Sequence, residues 1–67
     1  MFNLKLFEAM LSKRGVSKED VAKYLGISRS SLYRRLQNGG EFTAVEIRQL
    51  INFFGREEVL GCLFYYE

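Results

Sequence analysis

Residues Ser17–Gly39 read SKEDVAKYLGISRSSLYRRLQNG. The stretch holds two short apolar patterns at helical spacing, Val21, Ala22 and Leu25 in the first and Leu32 and Leu36 in the second. A serine precedes each pattern. Ser17 and Ser28 are both placed to act as N-caps, each offering a side-chain oxygen to a backbone N–H that has no partner in the first turn of a helix. Between the patterns stands Leu25-Gly26-Ile27, where glycine can take the left-handed conformation that ends a helix. The reading is two short helices at a tight corner, with the small Ala22 where they must approach closely.

The same punctuation extends outward. Asn3 and Thr43 are further N-cap candidates, and in every case the residue before the cap and the fourth residue of the helix are apolar. The pairs are Phe2 with Phe7, Val16 with Val21, Ile27 with Leu32 and Phe42 with Ile47, the pattern of a hydrophobic staple. Ser17 with Asp20 resembles a capping box, and Thr43 with Glu46 matches one fully. Gly15, Gly26, Gly39-Gly40 and Gly55 mark the stops, and Lys13-Arg14 suit the negative end of the first helix dipole. The expected fold is all-α, with helices over residues 4–14, 18–25, 29–38, 44–54 and 56–64. The last is the weakest, since Gly61 inside it costs about 1 kcal/mol relative to alanine. Phe7, Met10, Val21, Ala22, Leu25, Ile27, Leu32, Leu36, Ile47, Leu50, Ile51 and Phe54 form the expected core.

Sixty-seven residues are read as one domain spanning 1–67. At 48% hydrophobic and 15% aromatic the chain is too apolar for disorder, and some of that surface is expected to be shared with a second subunit. With no histidine and one cysteine, Cys62, the usual zinc ligand sets and histidine-based nucleophilic catalysis are excluded. No cofactor is expected. A lone thiol fits a reducing cytoplasm, and Cys62 is read as a small buried hydrophobe. The opening MFNLKLFEAML is broken by Lys5 and Glu8 and is read as a first helix, not a signal peptide or a membrane span.

The net charge of +2 conceals a division. Residues 1–38 carry eight Lys/Arg against Glu8, Glu19 and Asp20, whereas residues 40–67 carry Arg48 and Arg56 against five glutamates. Ser28–Asn38 has three arginines and no acid. With Leu32 and Leu36 turned inward and about 100° of rotation per residue, Ser30, Tyr33, Arg34 and Gln37 face outward, and Arg29 projects from the first turn. Arginine presents a two-pronged donor to guanine, and glutamine pairs a donor with an acceptor for adenine. These residues (Arg29, Ser30, Tyr33, Arg34, Gln37) are the candidate base contacts. Ser17, Lys18 and Ser28 at helix N-termini, with Arg35 on the flank and Asn38 at the exit, are the candidate phosphate contacts.

The stretch resembles the helix-turn-helix of the lambda-repressor-like group, the Cro/CI or XRE-type regulators of phages and bacteria. The matching residues are Ser17, Val21-Ala22, Leu25-Gly26-Ile27-Ser28, Arg29-Ser30, Leu32 and Leu36-Gln37-Asn38-Gly39, and the five-helix layout over residues 3–64 agrees. Lys18 and Arg29 stand where many members carry glutamine, and Arg35 where many are apolar. The resemblance implies a compact five-helix domain that binds a double-stranded DNA operator, usually as a homodimer, and represses transcription. Neither a membrane nor a small-molecule effector is an expected partner.

At the C-terminus, Val59, Leu60, Leu63, Phe64, Tyr65 and Tyr66 are more apolar groups than one end of a small monomer needs. Leu60 and Leu63 are assigned to the core, and Phe64, Tyr65 and Tyr66 to a dimer surface. The alternative function is a protein–protein module, an antitoxin or anti-repressor built on the same fold. No acid–base pair or phosphate loop suggests an enzyme.

Overall fold

Every helix start foreseen from a cap is where the cap placed it. The computed structural model describes residues 2–63. Its helices are α1 (Leu4–Arg14), α2 (Lys18–Leu25), α3 (Arg29–Gln37), α4 (Ala44–Phe54) and α5 (Arg56–Leu63), and no strand occurs among the described residues. Four first turns are closed by side chains: Leu6 N–H donates to Asn3 Oδ1, Asp20 N–H to Ser17 Oγ, Ser31 N–H to Ser28 Oγ and Glu46 N–H to Thr43 Oγ1. Asp20 completes its box as fully as Glu46 does, accepting from the Ser17 N–H at 3.1 Å. The ends differ slightly from expectation. Asn38 is the C-cap of α3 rather than its last residue, and α5 ends at Leu63.

The α2–α3 corner is tight because Gly26 sits at φ 72°, in the left-handed region. Its N–H reaches the Lys23 carbonyl, and the Ile27 N–H reaches the Ala22 carbonyl at 3.0 Å, so the last carbonyls of α2 are satisfied within the turn. Gly40 answers a different need. A Cβ built there would lie 2.5 Å from Phe2 Cδ1, so a larger residue at this left-handed position would force the Phe2 ring to shift.

Phe7, Val21, Leu32, Leu50 and Val59 are sealed from solvent at the centre, with Met10, Ala22, Leu25, Leu36 and Phe54 around them. Ile27, Ile47 and Ile51, expected inside, are only partly buried and pack on the rim. Ile27 lies in the turn rather than on a helix face. Leu11 and Phe42, absent from the expected core, are buried, and Cys62 and Leu63 are buried as expected. Phe42 belongs to a loop, yet its ring stacks on Phe7 with centroids 6.2 Å apart. Leu63 is buried as expected, whereas Leu60 is half-buried. Cys62 is buried, and burial, with Glu58 nearby, pushes its thiol pKa up, so it stays protonated and packs as an apolar group.

α5 packs against α1 and α4, and α2 against α3 and α4. Two polar clamps fix this arrangement. Arg14 at the end of α1 donates to the Phe54 carbonyl at 2.7 Å, pairs with Glu58 and lies over the Phe54 ring. Across the corner from α3 to α4, Arg35 Nε and Nη2 hold both oxygens of Glu46 at 2.8 and 3.0 Å. Glu46 is the buried acid of the core, 7% exposed. Burial alone would raise its pKa, but the Thr43 amide and the Arg35 guanidinium outweigh that and hold it below the usual carboxylate range.

Three carboxylates set the response of the fold to acid. Asp20 is held low by the Ser17 amide and hydroxyl, Glu58 by the Arg14 hydrogen bond, and Glu46 as described. A carboxylate whose folded-state pKa is depressed stabilises the fold above its unfolded pKa and loses that contribution as pH falls through the folded value. The chain has no histidine to titrate near neutrality. Urea midpoints are therefore expected to stay level from about pH 8 to about pH 5 and to fall steadily below about pH 4. At neutral pH Glu46→Gln is expected to cost about 2 kcal/mol through its lost charged hydrogen bonds and to shrink the acid loss. A midpoint that rises on acidification would contradict this.

Candidate nucleic-acid interface

α3 is anchored by Leu32 and Leu36, buried at 0% and 5%, which leaves the opposite stripe outward. Arg29, Ser30, Tyr33, Arg34 and Gln37 are all exposed, and no acid lies on the helix. The structure thus brings together the five residues expected to contact bases on one face of one helix. Ser30, Arg34 and Gln37 make no side-chain hydrogen bond or ion pair among the described residues. Their donors and acceptors are open to a ligand.

Arg29 is partly organised. Its guanidinium lies 5.5 Å from the Tyr33 ring centroid, with Nη2 3.4 Å from the Tyr33 hydroxyl. That hydrogen bond, with the negative charge of Glu19, raises the Arg29 pKa above its ordinary value. The ammonium of Lys18 also lies 5.5 Å from the same ring. Tyr33, one turn into α3, is a platform shared by a cation from its own helix and one from the start of α2.

Of the expected phosphate contacts, Ser17, Ser28 and Asn38 are exposed and Lys18 is part-buried beside Tyr33. Ser17 and Ser28 spend their side-chain oxygens on capping, and the Ser28 hydroxyl also meets Ser31 Oγ at 2.9 Å. What they offer an anion is mainly the helix N-terminus itself. Arg35 is engaged within the fold: its guanidinium grips Glu46 with two nitrogens and reaches the Ser31 carbonyl with the third, so it ties α3 to α4. That pairing also explains a charged residue at a position where the resembled group is often apolar, because the buried partner Glu46 comes from another helix. Phe64, Tyr65 and Tyr66, assigned to a dimer surface, lie outside the described residues.

Sequence reasoning missed two acids. Glu8, from α1, pairs with Lys18 at 2.7 Å, and Glu19, from the first turn of α2, is close enough for its charge to act on Arg29. Spacing along the chain gave no sign of the first contact, which spans two helices. Beside this pair a cleft is lined by Leu4, Lys18, Tyr33, Leu36 and Gln37, so the recognition stripe is bounded on the α1 side by a partly apolar wall. No helix among the described residues is long and apolar enough to cross a membrane.

A family model described as helix-turn-helix matches residues 6–60, which takes in most of α1, α2 to α4 whole and most of α5. No curated protein and no solved structure matches the chain. The family match spans most of the chain, and the basic, acid-free stripe on α3 sits where such a domain carries its recognition helix. The chain belongs to the helix-turn-helix family of lambda-repressor-like, Cro/CI and XRE-type DNA-binding regulators.

Proposed function

We propose that this protein is a sequence-specific repressor that binds a near-palindromic operator in double-stranded DNA as a homodimer. The observation that carries the reading is the outward stripe of α3, where Ser30, Tyr33, Arg34 and Gln37 lie beside Arg29 on a helix held rigidly by α2 and by the Arg35–Glu46 clamp. Arg34 is the leading base reader, since its guanidinium has no competing partner among the described residues. Arg29 follows, oriented by Tyr33. Gln37 and Ser30 supply the amide and hydroxyl contacts. Ser17, Lys18, Ser28 and Asn38 hold the phosphate backbone on either side.

Dimerisation follows from information content. One recognition helix covers only a few base pairs, and two-fold symmetry places a second helix in the next major groove, with half-sites about 10–10.5 bp apart. Phe64, Tyr65 and Tyr66 are proposed for the contact. They follow α5 in the sequence, and α5 packs on α1 and α4.

The test compares variants on a duplex selected from a random pool. Arg34→Ala and Arg29→Ala are each expected to lose about 1–3 kcal/mol of discrimination at one base position. Lys18→Ala is expected to weaken selected and random duplexes alike, lowering the salt slope by up to about 1. Arginine variants that weaken every sequence equally would overturn the base-reading assignment.

A further inference from the structure

Lys18 stands at the edge of the recognition stripe with its charge already engaged. Its Nζ lies 2.7 Å from Glu8 Oε2 and 5.5 Å from the Tyr33 ring centroid. Glu8 comes from α1, and its side chain is 45% exposed against 32% for that of Lys18. The pair is therefore at the surface, where another anion can reach the ammonium. It borders the cleft between Leu4, Tyr33, Leu36 and Gln37, on the side of α3 that carries the candidate base contacts.

We propose that Glu8 is an internal phosphate mimic: in the free protein its carboxylate occupies the Lys18 ammonium, and a DNA phosphate must displace it to make the same contact. The inference rests on the DNA-binding reading and extends it to a residue of α1. Two consequences follow from charge alone. The paired ammonium presents little net charge, so Lys18 attracts the duplex less than an unpaired lysine would. Once displaced, the carboxylate lies close to the phosphate and opposes it. Because the phosphate backbone is common to all sequences, Glu8 limits the sequence-independent part of binding and leaves base reading by Arg34 untouched. The Tyr33 ring keeps the ammonium at the groove edge whichever anion it holds.

The experiment is a double-mutant cycle on a short random duplex, followed by fluorescence anisotropy at several salt concentrations, with thermal melting to show that each variant is folded. In the otherwise unaltered protein, Glu8→Gln is expected to tighten binding about five- to tenfold at low salt and to steepen the salt slope by about 1. With Lys18→Ala already present, the same change is expected to give only about a twofold gain, because general repulsion alone remains to be relieved. An unchanged affinity and slope for Glu8→Gln would overturn the proposal. Equal gains in the two backgrounds would also overturn it, since Glu8 would then repel DNA without competing for Lys18. If the unaltered protein binds no duplex at low salt, the DNA reading fails and this inference with it. If it binds and Glu8 has no effect, this inference alone fails.

Discussion

Leu32→Ala is expected to remove most of the stability of the fold. Leu32 is fully buried on the inner face of α3, at the joint between the recognition helix and the rest of the core. Truncating a buried leucine costs about 2–5 kcal/mol, the lost transfer energy plus the cavity left behind. A chain of this length has a total stability of roughly 3–10 kcal/mol. At about 4–8 °C per kcal/mol for a small domain, the melting temperature should fall by roughly 10–40 °C. Leu6→Ala is the control, because Leu6 is 42% exposed and truncating it is expected to change stability by only about 0.5 kcal/mol. A Leu32→Ala variant that melts within a few degrees of the parent would mean that α3 is not docked as described.

Much of this architecture was legible from local chemistry. Caps and staples act within one turn of chain, so Asn3, Ser17, Ser28 and Thr43 announced four helix starts, and the structure shows each making its bond. The outward stripe of α3 was legible for the same reason, since helical periodicity decides it once Leu32 and Leu36 face inward. What the sequence concealed depends on contacts between elements. Arg35 read as a surface cation because nothing within a turn of it reveals Glu46, eleven residues on and buried under the same clamp. Glu8 entered the sequence reading only as a break in an apolar run and a charge in the count; its contact with Lys18 emerges when α1 and α2 lie side by side. Phe42 escaped the core assignment because it lies in a loop, where periodicity says nothing about burial. Ile47 and Ile51 were overcounted because helical spacing does not separate the centre of a small core from its edge, and Ile27 because it lies in the turn.

Affinity for the selected duplex is expected to fall steeply with salt. A dimer that neutralises about 6–8 phosphates releases a matching number of counterions, which gives a slope of about −5 to −7 in log K against log salt. Raising salt from about 50 to about 200 mM should then weaken binding about a thousandfold to ten-thousandfold. This is the largest effect expected of any single change of condition, and it discriminates between function classes. A protein-partner module that uses the aromatic C-terminus would bind mainly through apolar contact and respond weakly to salt. A flat salt response, or no binding to any duplex at low salt, would move the protein to that class.

The central claim is that the outward stripe of α3 enters the major groove. It is tested most directly by intermolecular nuclear Overhauser contacts between isotope-labelled protein and an unlabelled selected duplex. The account predicts contacts from Ser30, the Tyr33 ring, Arg34 and Gln37 to base protons of the major groove, cytosine H5 and thymine methyl groups among them. It also predicts contacts from Lys18 to the sugar protons flanking a phosphate. A duplex that binds while α3 shows no contact, with contacts arising from α1, α4 or α5 instead, would contradict it.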